Sequence, residues 1–484
     1  MAERRHVGSV DYERAGEGYM DKRRLKAGAA GWILLAGLGV AYVISGDYAG
    51  WNFGLGEGGW GGLLIATILM AIMYTCMVLG LAELSSTLPV AGAGYAFARR
   101  ALGPLGGFAT GTAILIEYAI APAAIVIFIG GYVESLDIFG IEAGWPLYLF
   151  FYAVFIGIHL YGVGEALKLM FVITAIAVVG ILAFFIATIG EFDSSNLTNI
   201  PVDPSASGAS EFIPFGIAGV LSAFVYGIWF FLAIEGVPLA AEETRDPKRD
   251  LPRGIIGGMV VLLVFAALML TLAPGSAGSE ALSASDNPLP DALGIAHGDD
   301  AFITEFVNYI GLFGLIASFF SIIYAYSRQL FALSRAGYLP RVLSVTSGRR
   351  TPQLALLLPG MIGFLLAAIT EDGAKMINVA VFGAASSYVL MTLSHIVLRF
   401  REPDLDRPYR TPGGVVTTGI AFVLACAAVV ATFFVDEEAA GIAAAVFLAH
   451  VAYFWFYSRH RLVADAPEEE FALIEQAEAE LAGG

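Results

Sequence analysis

Three carboxylic acids interrupt long apolar runs of this chain. Asp47 lies in Ile44-Ser45-Gly46-Asp47-Tyr48-Ala49-Gly50, Glu117 in Leu115-Ile116-Glu117-Tyr118, and Glu235 in Ala233-Ile234-Glu235-Gly236-Val237-Pro238. An acid at membrane depth costs about 2.5 kcal/mol or more, so it turns toward the protein interior and marks an ion, proton or substrate path. No lysine or arginine stands clearly at the same depth. Three bare negative charges cannot coexist there, so either a cation fills the site or at least one acid carries a proton. The chemistry open to such a trio is to hold an ammonium group or to pass a proton.

Asp47 reads as an ammonium counter-ion or proton acceptor; the alternative is a carboxylate that caps the outer half of its own helix, where the macrodipole favours an acid. Glu235 reads as a proton-coupling acid, with a structural tie held by backbone N–H groups as the alternative. Glu117 either pairs with a polar group on the first or eighth apolar run or contributes to the substrate or proton path. Trp229 stands about two helical turns before Glu235. A ring face attracts an alkylammonium by ~0.5–2 kcal/mol, which makes Trp229 a candidate substrate contact against plain packing. Phe230 and Phe231 are candidate gates. Ser45 and Gly46 beside Asp47, and Ile234 and Gly236 beside Glu235, complete the candidate substrate-binding set.

Other chemistry is poorly provided for. Cys76 and Cys426 both lie in apolar runs, which excludes a disulfide framework and a cysteine zinc site. His159, His395 and His450 lie near the ends of apolar runs without a His-Glu-x-x-His pattern, so no metal site is expected. Gly92-Ala93-Gly94 lacks the lysine of a phosphate-binding loop. No nucleophile constellation is present, so the chain reads as no enzyme, with no cofactor and no nucleic-acid partner.

The elements that must position these residues are membrane spans. Of 484 residues, 58% are hydrophobic and 14% charged, against ~45–50% and ~25% in soluble domains. Twelve apolar runs are each long enough for a helical span; they fall near 28–52, 61–84, 106–133, 145–162, 167–189, 213–240, 254–274, 302–326, 352–370, 374–398, 415–435 and 439–457. Continuous runs such as 170–189 exclude β-barrel strands. With twelve spans, every lysine and arginine except Lys375, of 26 in all, falls on one side. That side is the cytoplasm by the positive-inside rule, with both termini in it. The opposite loops are acidic and account for much of the net charge of −17.

Spans 1 and 6 are interrupted at matching places by glycine, an acid and, in span 6, proline. Irregular backbone at membrane depth survives only where it is buried in protein or lines a cavity. Spans 1 and 6 are five apart, the spacing of two five-helix inverted repeats whose discontinuous helices build a central transport site. The free N–H and C=O groups at each break can hold anions and cations respectively.

Four stretches carry a family resemblance: residues 82–104 (AELSSTLPVAGAGYAFARRALGP), 240–252 (AAEETRDPKRDLP), 331–340 (FALSRAGYLP) and 401–412 (REPDLDRPYRTP). In order and topology they resemble the amino acid–polyamine–organocation transporters over roughly residues 28–412. Within that superfamily, residues 39–54 (GVAYVISGDYAGWNFG) and 111–124 (GTAILIEYAIAPAA) are most similar to bacterial ethanolamine permeases. The resemblance implies a leucine-transporter-type fold, alternating access and uptake of a small amine. Amino acid transporters of this kind carry a Gly-Ser-Gly-like break whose N–H groups receive the substrate carboxylate. Here Ser45-Gly46-Asp47 stands in its place, and a carboxylate would repel that group while attracting an ammonium. The lysine that some members carry in span 5 is replaced by Ala177. Ser318 and Ser321 on span 8 offer sodium ligands, which makes sodium the lesser alternative to a coupling proton.

The expectation is therefore an all-α polytopic protein of the cell membrane with twelve transmembrane helices. A cytoplasmic tail (1–26) precedes a ten-helix core (27–400) with repeats at about 28–189 and 213–398. Two further helices (413–460) and an acidic cytoplasmic tail (461–484) follow, the tail reading as a short helix over 465–484. The expected activity is proton-coupled import of a small primary amine, ethanolamine first, with a cationic or neutral amino acid permease as the alternative. Its partners are the amine and membrane lipid, and monomer and dimer are equally compatible with it.

Overall fold

A computed structural model describes residues 4–7, 9–13, 18–23, 28, 30–90, 92–137, 140–464, 466, 467 and 469. The apolar runs fold as helices because a chain without water around it must satisfy each backbone N–H and C=O within its own segment. In order they are α1 (Trp32–Val43), α2 (Ser45–Tyr48), α3 (Phe53–Thr87), α4 (Gly94–Ser135), α5 (Trp145–Tyr161), α6 (Val163–Thr188), α7 (Gly216–Ser222), α8 (Phe224–Trp229), α9 (Pro247–Ala277), α10 (Ser279–Leu282), α11 (Pro288–His297), α12 (Phe302–Arg335), α13 (Gln353–Thr370), α14 (Gly373–Arg401), α15 (Val415–Val435) and α16 (Glu437–Phe456). A 3-10 segment, Ile234–Glu243, continues from α8 toward α9. Among the described residues, ten helices are long and apolar enough to cross a membrane, and two shorter apolar helices, Trp32–Tyr48 and Trp145–Tyr161, accompany them. The chain is a multi-pass membrane protein.

α4 lies along α14 and also packs on α12, while α1 packs on α9 and α12 on α6. Outward faces carry exposed apolar side chains, among them Ile186, Val264, Phe302 and Ile369. In water such a belt would be an aggregation surface; against lipid it is solvated.

Several elements run further than their apolar cores. α12 continues nine residues beyond the expected 302–326 because its polar extension is paired within the protein. Arg328 binds Glu243 at 3.0 Å and Arg335 binds Glu242 at 2.6 Å. α4 begins at Gly94, with a break at Gly103 that separates a short leading helix from the apolar part.

Three short strands depart from the all-α expectation. β1 (Arg4–Val7) pairs antiparallel with β2 (Val10–Glu13), and β2 pairs in parallel with β3 (Leu462–Val463). The two terminal segments thus meet at one end of the helices. Val10, Tyr12, Leu462 and Val463 bury apolar surface there with Tyr95, Phe108, Tyr338 and Phe454. Glu469 is buried beneath them, receiving Tyr12 Oη–H at 2.8 Å, Tyr338 Oη–H at 3.0 Å and Arg99 Nε–H at 2.9 Å. The rest of the helix expected over 465–484, apart from Ala466 and Pro467, lies outside the described residues, as do parts of the 1–26 tail.

Glu83 ties α14 and the loop that follows it to the end of α3. It takes Arg399 Nη2–H at 2.6 Å and the Thr411 backbone N–H at 2.7 Å, and it pairs with Arg407 at 2.9 Å.

Candidate functional site

The first break lies at the end of the interrupted stretch Ile44–Gly50 that the sequence singles out. Ile44 keeps right-handed helical dihedrals (φ −57°, ψ −22°) between α1 and α2, the chain stays helical through Tyr48, and the Ala49 N–H still donates to Ser45 O at 2.9 Å. The chain leaves the helix at Ala49, which is extended (φ −158°, ψ 158°), and at Gly50, whose φ of +92° suits glycine. Asp47 therefore stands in the last helical turn before the break. It caps nothing: the helix that resumes at Phe53 is preceded by Asn52, with no side-chain cap. Asn52 instead accepts the Gly50 N–H at 3.1 Å and donates to Leu282 O and Ser285 O, both at 2.8 Å.

The second break follows Trp229. Ala233 is left-handed (φ 78°), and Pro238, which lacks an N–H, lies within the 3-10 segment beyond. The Phe231 N–H donates to Ile228 O at 2.8 Å and the Gly236 N–H to Ala233 O at 3.0 Å, which closes the turn.

The breaks touch. A Cβ on Gly46 would lie 2.3 Å from Trp229 O, so glycine alone permits this approach. The Trp229 indole N–H donates to Ala49 O at 3.0 Å, and Trp51 stacks on Phe230 with centroids 5.8 Å apart. Asp47 is fully buried, and neither carboxylate oxygen has a hydrogen-bond partner among the described residues. A buried carboxylate without a donor is costly, and such a vacancy suits a ligand that brings its own N–H groups.

Deeper along the second break lies a tyrosine cage. Glu235 receives Tyr118 Oη–H on one carboxylate oxygen and Tyr388 Oη–H on the other, each at 3.0 Å. Tyr74 donates to the Tyr388 hydroxyl at 2.9 Å, and its ring lies 5.4 Å from that of Phe231. Glu117 is fully buried on α4 beside Tyr118, and neither of its carboxylate oxygens has a hydrogen-bond partner among the described residues. Gly236 passes against the Tyr42 ring and the Tyr118 hydroxyl.

The flanks are tied down. Ser45 Oγ–H donates to Ser318 Oγ at 2.8 Å, and Ser318 in turn to Tyr42 O at 2.5 Å. Ser321 bonds the Ala317 and Ser318 carbonyls of its own helix. Tyr48 donates to Ala177 O at 2.6 Å and accepts Tyr132 Oη–H on its own carbonyl at 3.0 Å. At the end where the termini meet, the start of the first helix is held to the end of the 3-10 segment. The Ala30 N–H donates to Glu243 O at 3.0 Å, and the Arg245 N–H to Ala30 O at 2.9 Å. Tyr324 and Arg328 hold the Glu243 carboxylate from α12.

Of the residues singled out from sequence, Ser45, Gly46, Asp47, Trp229 and Phe230 gather at the contact of the breaks. Glu117, Glu235, Gly236 and Phe231 gather in the tyrosine cage. Glu117 makes no side-chain hydrogen bond to the first or eighth span among the described residues. Ile234 stands apart, its side chain wedged between Gly39 of α1 and Gly258 of α9. Tyr42, Tyr74, Tyr118 and Tyr388 were missed, because a tyrosine in an apolar run has the pattern of a packing residue. Among the described residues, no group of three or more His, Cys, Asp or Glu is placed to hold a metal ion.

A family model described as amino acid permease matches residues 32–464. An uncharacterized transporter of Rhizobium meliloti is 30% identical over 430 residues, covering 87% of this chain and 90% of that protein. The branched-chain amino acid permease of Bacillus subtilis is 26% identical over 388 residues, 75% of this chain and 79% of its own. The methylthioribose transporter of the same organism is 26% identical over 374 residues, 72% and 76% respectively.

Proposed function

The chain belongs to the amino acid permease family, a family of transporters rather than enzymes, and from that premise we propose that it imports a small primary amine, ethanolamine first, by proton-coupled alternating access. One observation carries the choice of cargo: Asp47 stands fully buried beside the meeting point of the two breaks, with neither oxygen hydrogen-bonded among the described residues. An ammonium supplies the missing donors and the opposite charge. The carboxylate of a zwitterionic amino acid at the same place would be repelled. Relatives at this distance carry names as different as branched-chain amino acid permease and methylthioribose transporter, so cargo is argued from the site and not from kinship.

In this reading the two short apolar helices are spans as well, giving twelve. The first ten, within residues 27–400, form two inverted repeats of leucine-transporter type broken in spans 1 and 6. Both termini are cytoplasmic in the cell membrane, and residues 413–460 add two helices. Two touching breaks, five spans apart, support that architecture. Trp229 offers the alkylammonium a ring face, Phe230 and Phe231 close over it, and Asp47 and Glu235 handle the proton. With every candidate residue buried and the Glu243 clasp closed at one end, the arrangement corresponds to an occluded stage of the cycle. The second reading, a cationic or neutral amino acid permease, draws on the name of the Bacillus relative.

Equilibrium binding of labelled ethanolamine to the purified protein tests the choice. Displacement by unlabelled ethanolamine but not by alanine, leucine or arginine is expected. Displacement by an amino acid with no ethanolamine binding would transfer the site to the second reading.

A further inference from the structure

Glu469 follows the last membrane helix, yet its side chain is fully buried. Two short turns carry it there from β3: the Ala466 N–H donates to Val463 O at 3.1 Å, and the Glu469 N–H to Ala466 O at 2.9 Å. Three segments distant in sequence hold its carboxylate. They are β2 through Tyr12, the short leading helix of α4 through Arg99, and the turn after α12 through Tyr338. Arg99 Nη2 lies 2.8 Å from the same carboxylate and also donates to the Tyr12 hydroxyl. A guanidinium and a carboxylate that have both left water need each other, because parting them inside the protein leaves an uncompensated buried charge. The contact is therefore either fully made or opened to water.

The turn after α12 is where both tails grip the helices. The Val463 N–H donates to Ala336 O at 3.0 Å and Ser458 Oγ–H to Tyr338 O at 2.7 Å. Arg341 reaches Glu13 at 2.8 Å and Arg461 O at 2.9 Å. The fit is tight, since a Cβ on Gly337 would lie 2.2 Å from Arg461 O. The N-terminal segment adds Tyr19 Oη–H on Arg335 O at 2.9 Å and Arg23 on Arg341 O at 3.0 Å. Arg335 in turn pairs with Glu242, and Arg328 with Glu243, whose backbone O receives the Ala30 N–H ahead of α1. Polar contacts thus run from Glu469 to the end of α12, to the segment after the second break and to the entry of α1. These are the elements that part when a site between two broken helices opens at this end.

We propose that the terminal segments form a strap across this end of the helices and that Glu469 is its latch. With the carboxylate seated on Arg99, Tyr12 and Tyr338, the elements of the two breaks stay closed here; its release precedes opening. Glu469 suits the role because it can leave without breaking a membrane helix. Arg99 and Glu469 then exchange each other for water, and no covalent bond changes. The inference rests on the reading of the chain as an alternating-access transporter and is independent of its cargo.

The test reads access at both ends of the molecule. A chain with Cys76→Ser and Cys426→Ser receives one reporter: Ala240→Cys, in the segment leading to Glu243, or Ala292→Cys, on α11 at the opposite end. Both alanines are buried. Reaction of each purified protein with a bulky maleimide in detergent is timed. Glu469→Gln is expected to speed labelling at position 240 by about 5-fold or more, the lower edge of typical coupling between sites, and to leave position 292 unchanged or slower. Tyr12→Phe, which removes one donor, should act in the same direction by less. An unchanged rate at position 240 would overturn the latch. An equal rise at both positions would also overturn it, because Glu469 would then be a general structural tie. Should Glu469→Gln not yield monodisperse protein, the two reporters in Tyr12→Phe decide by the same criteria. Labelling needs no cargo, so an error about ethanolamine leaves the result intact.

Discussion

The contact between the two breaks can be probed by a single methyl group. In Gly46→Ala the new Cβ meets Trp229 O at 2.3 Å. A carbon–oxygen contact in a folded protein sits at about 3.3 Å, so the breaks must separate by roughly 1 Å (3.3 − 2.3). The obstacle is a backbone carbonyl, not the tip of a flexible side chain, and the Trp229 N–H bond to Ala49 O lies on the same seam. Overpacking of this kind costs about 1–3 kcal/mol. If the closed contact is the form that holds substrate, apparent affinity falls by about 5–150-fold. The assay is concentration-dependent uptake into proteoliposomes, with thermal stability in detergent measured alongside. Gly157→Ala is the control, since a Cβ there meets nothing within 4 Å. Wild-type affinity and rate in Gly46→Ala would refute the reasoning that the two breaks must touch to close the site.

Asp47→Asn keeps the shape but not the charge; amine uptake is expected to drop more than tenfold while the protein still inserts, and near-normal transport would remove Asp47 from the site. Glu83→Ala leaves the buried Arg407 unpaired, and breaking a buried pair costs about 3–5 kcal/mol. The partial exposure of Arg399, 22% of its side chain, places the expected loss of detergent thermal stability at the lower end, and an unchanged melting temperature would contradict the tie. Asp11 accepts hydrogen bonds from His460 and then His6, which hold its carboxyl below the usual range. A depressed carboxyl stabilises the fold fully above its unfolded pKa of about 3.9 and loses that contribution as pH falls through the lower folded value. The distance between spin labels attached beforehand at positions 9 and 461 should therefore be steady from neutral pH down to about 4 and lengthen below it; in Asp11→Asn that acid-dependent step should vanish, and its persistence would show that another group controls the pairing.

The membrane helices were legible because continuous apolar runs admit few other structures. α15 spans Val415–Val435, the stretch expected, and its flanks Gly414 and Asp436 are plainly polar or flexible. α12 was read too short because Ser327, Arg328, Gln329, Ser334 and Arg335 look like loop residues until their partners on other segments are known. The first break lies at the far end of the stretch Ile44–Gly50 read from sequence. Ser45-Gly46-Asp47 has a helix-weakening composition, but the Ser45–Ser318–Tyr42 hydrogen-bond chain holds that turn, and the backbone gives way at Ala49. Asp47, Glu117 and Glu235 were visible one by one as acids out of place. That Tyr118 and Tyr388 each hold one oxygen of Glu235 depends on contacts between distant segments, which periodicity does not encode. The strands at the termini escaped notice for the same reason, since β2 gains its parallel partner from the far end of the chain.

The most direct measurement is uptake of labelled ethanolamine into proteoliposomes holding the purified protein, with an imposed inward proton gradient and unlabelled competitors. Accumulation above the outside concentration, abolished by collapsing the gradient and blocked by excess ethanolamine but not by alanine or arginine, is the result expected. Accumulation of alanine or arginine with no uptake of ethanolamine would contradict the assignment of Asp47 as the ammonium partner and leave an amino acid permease in its place.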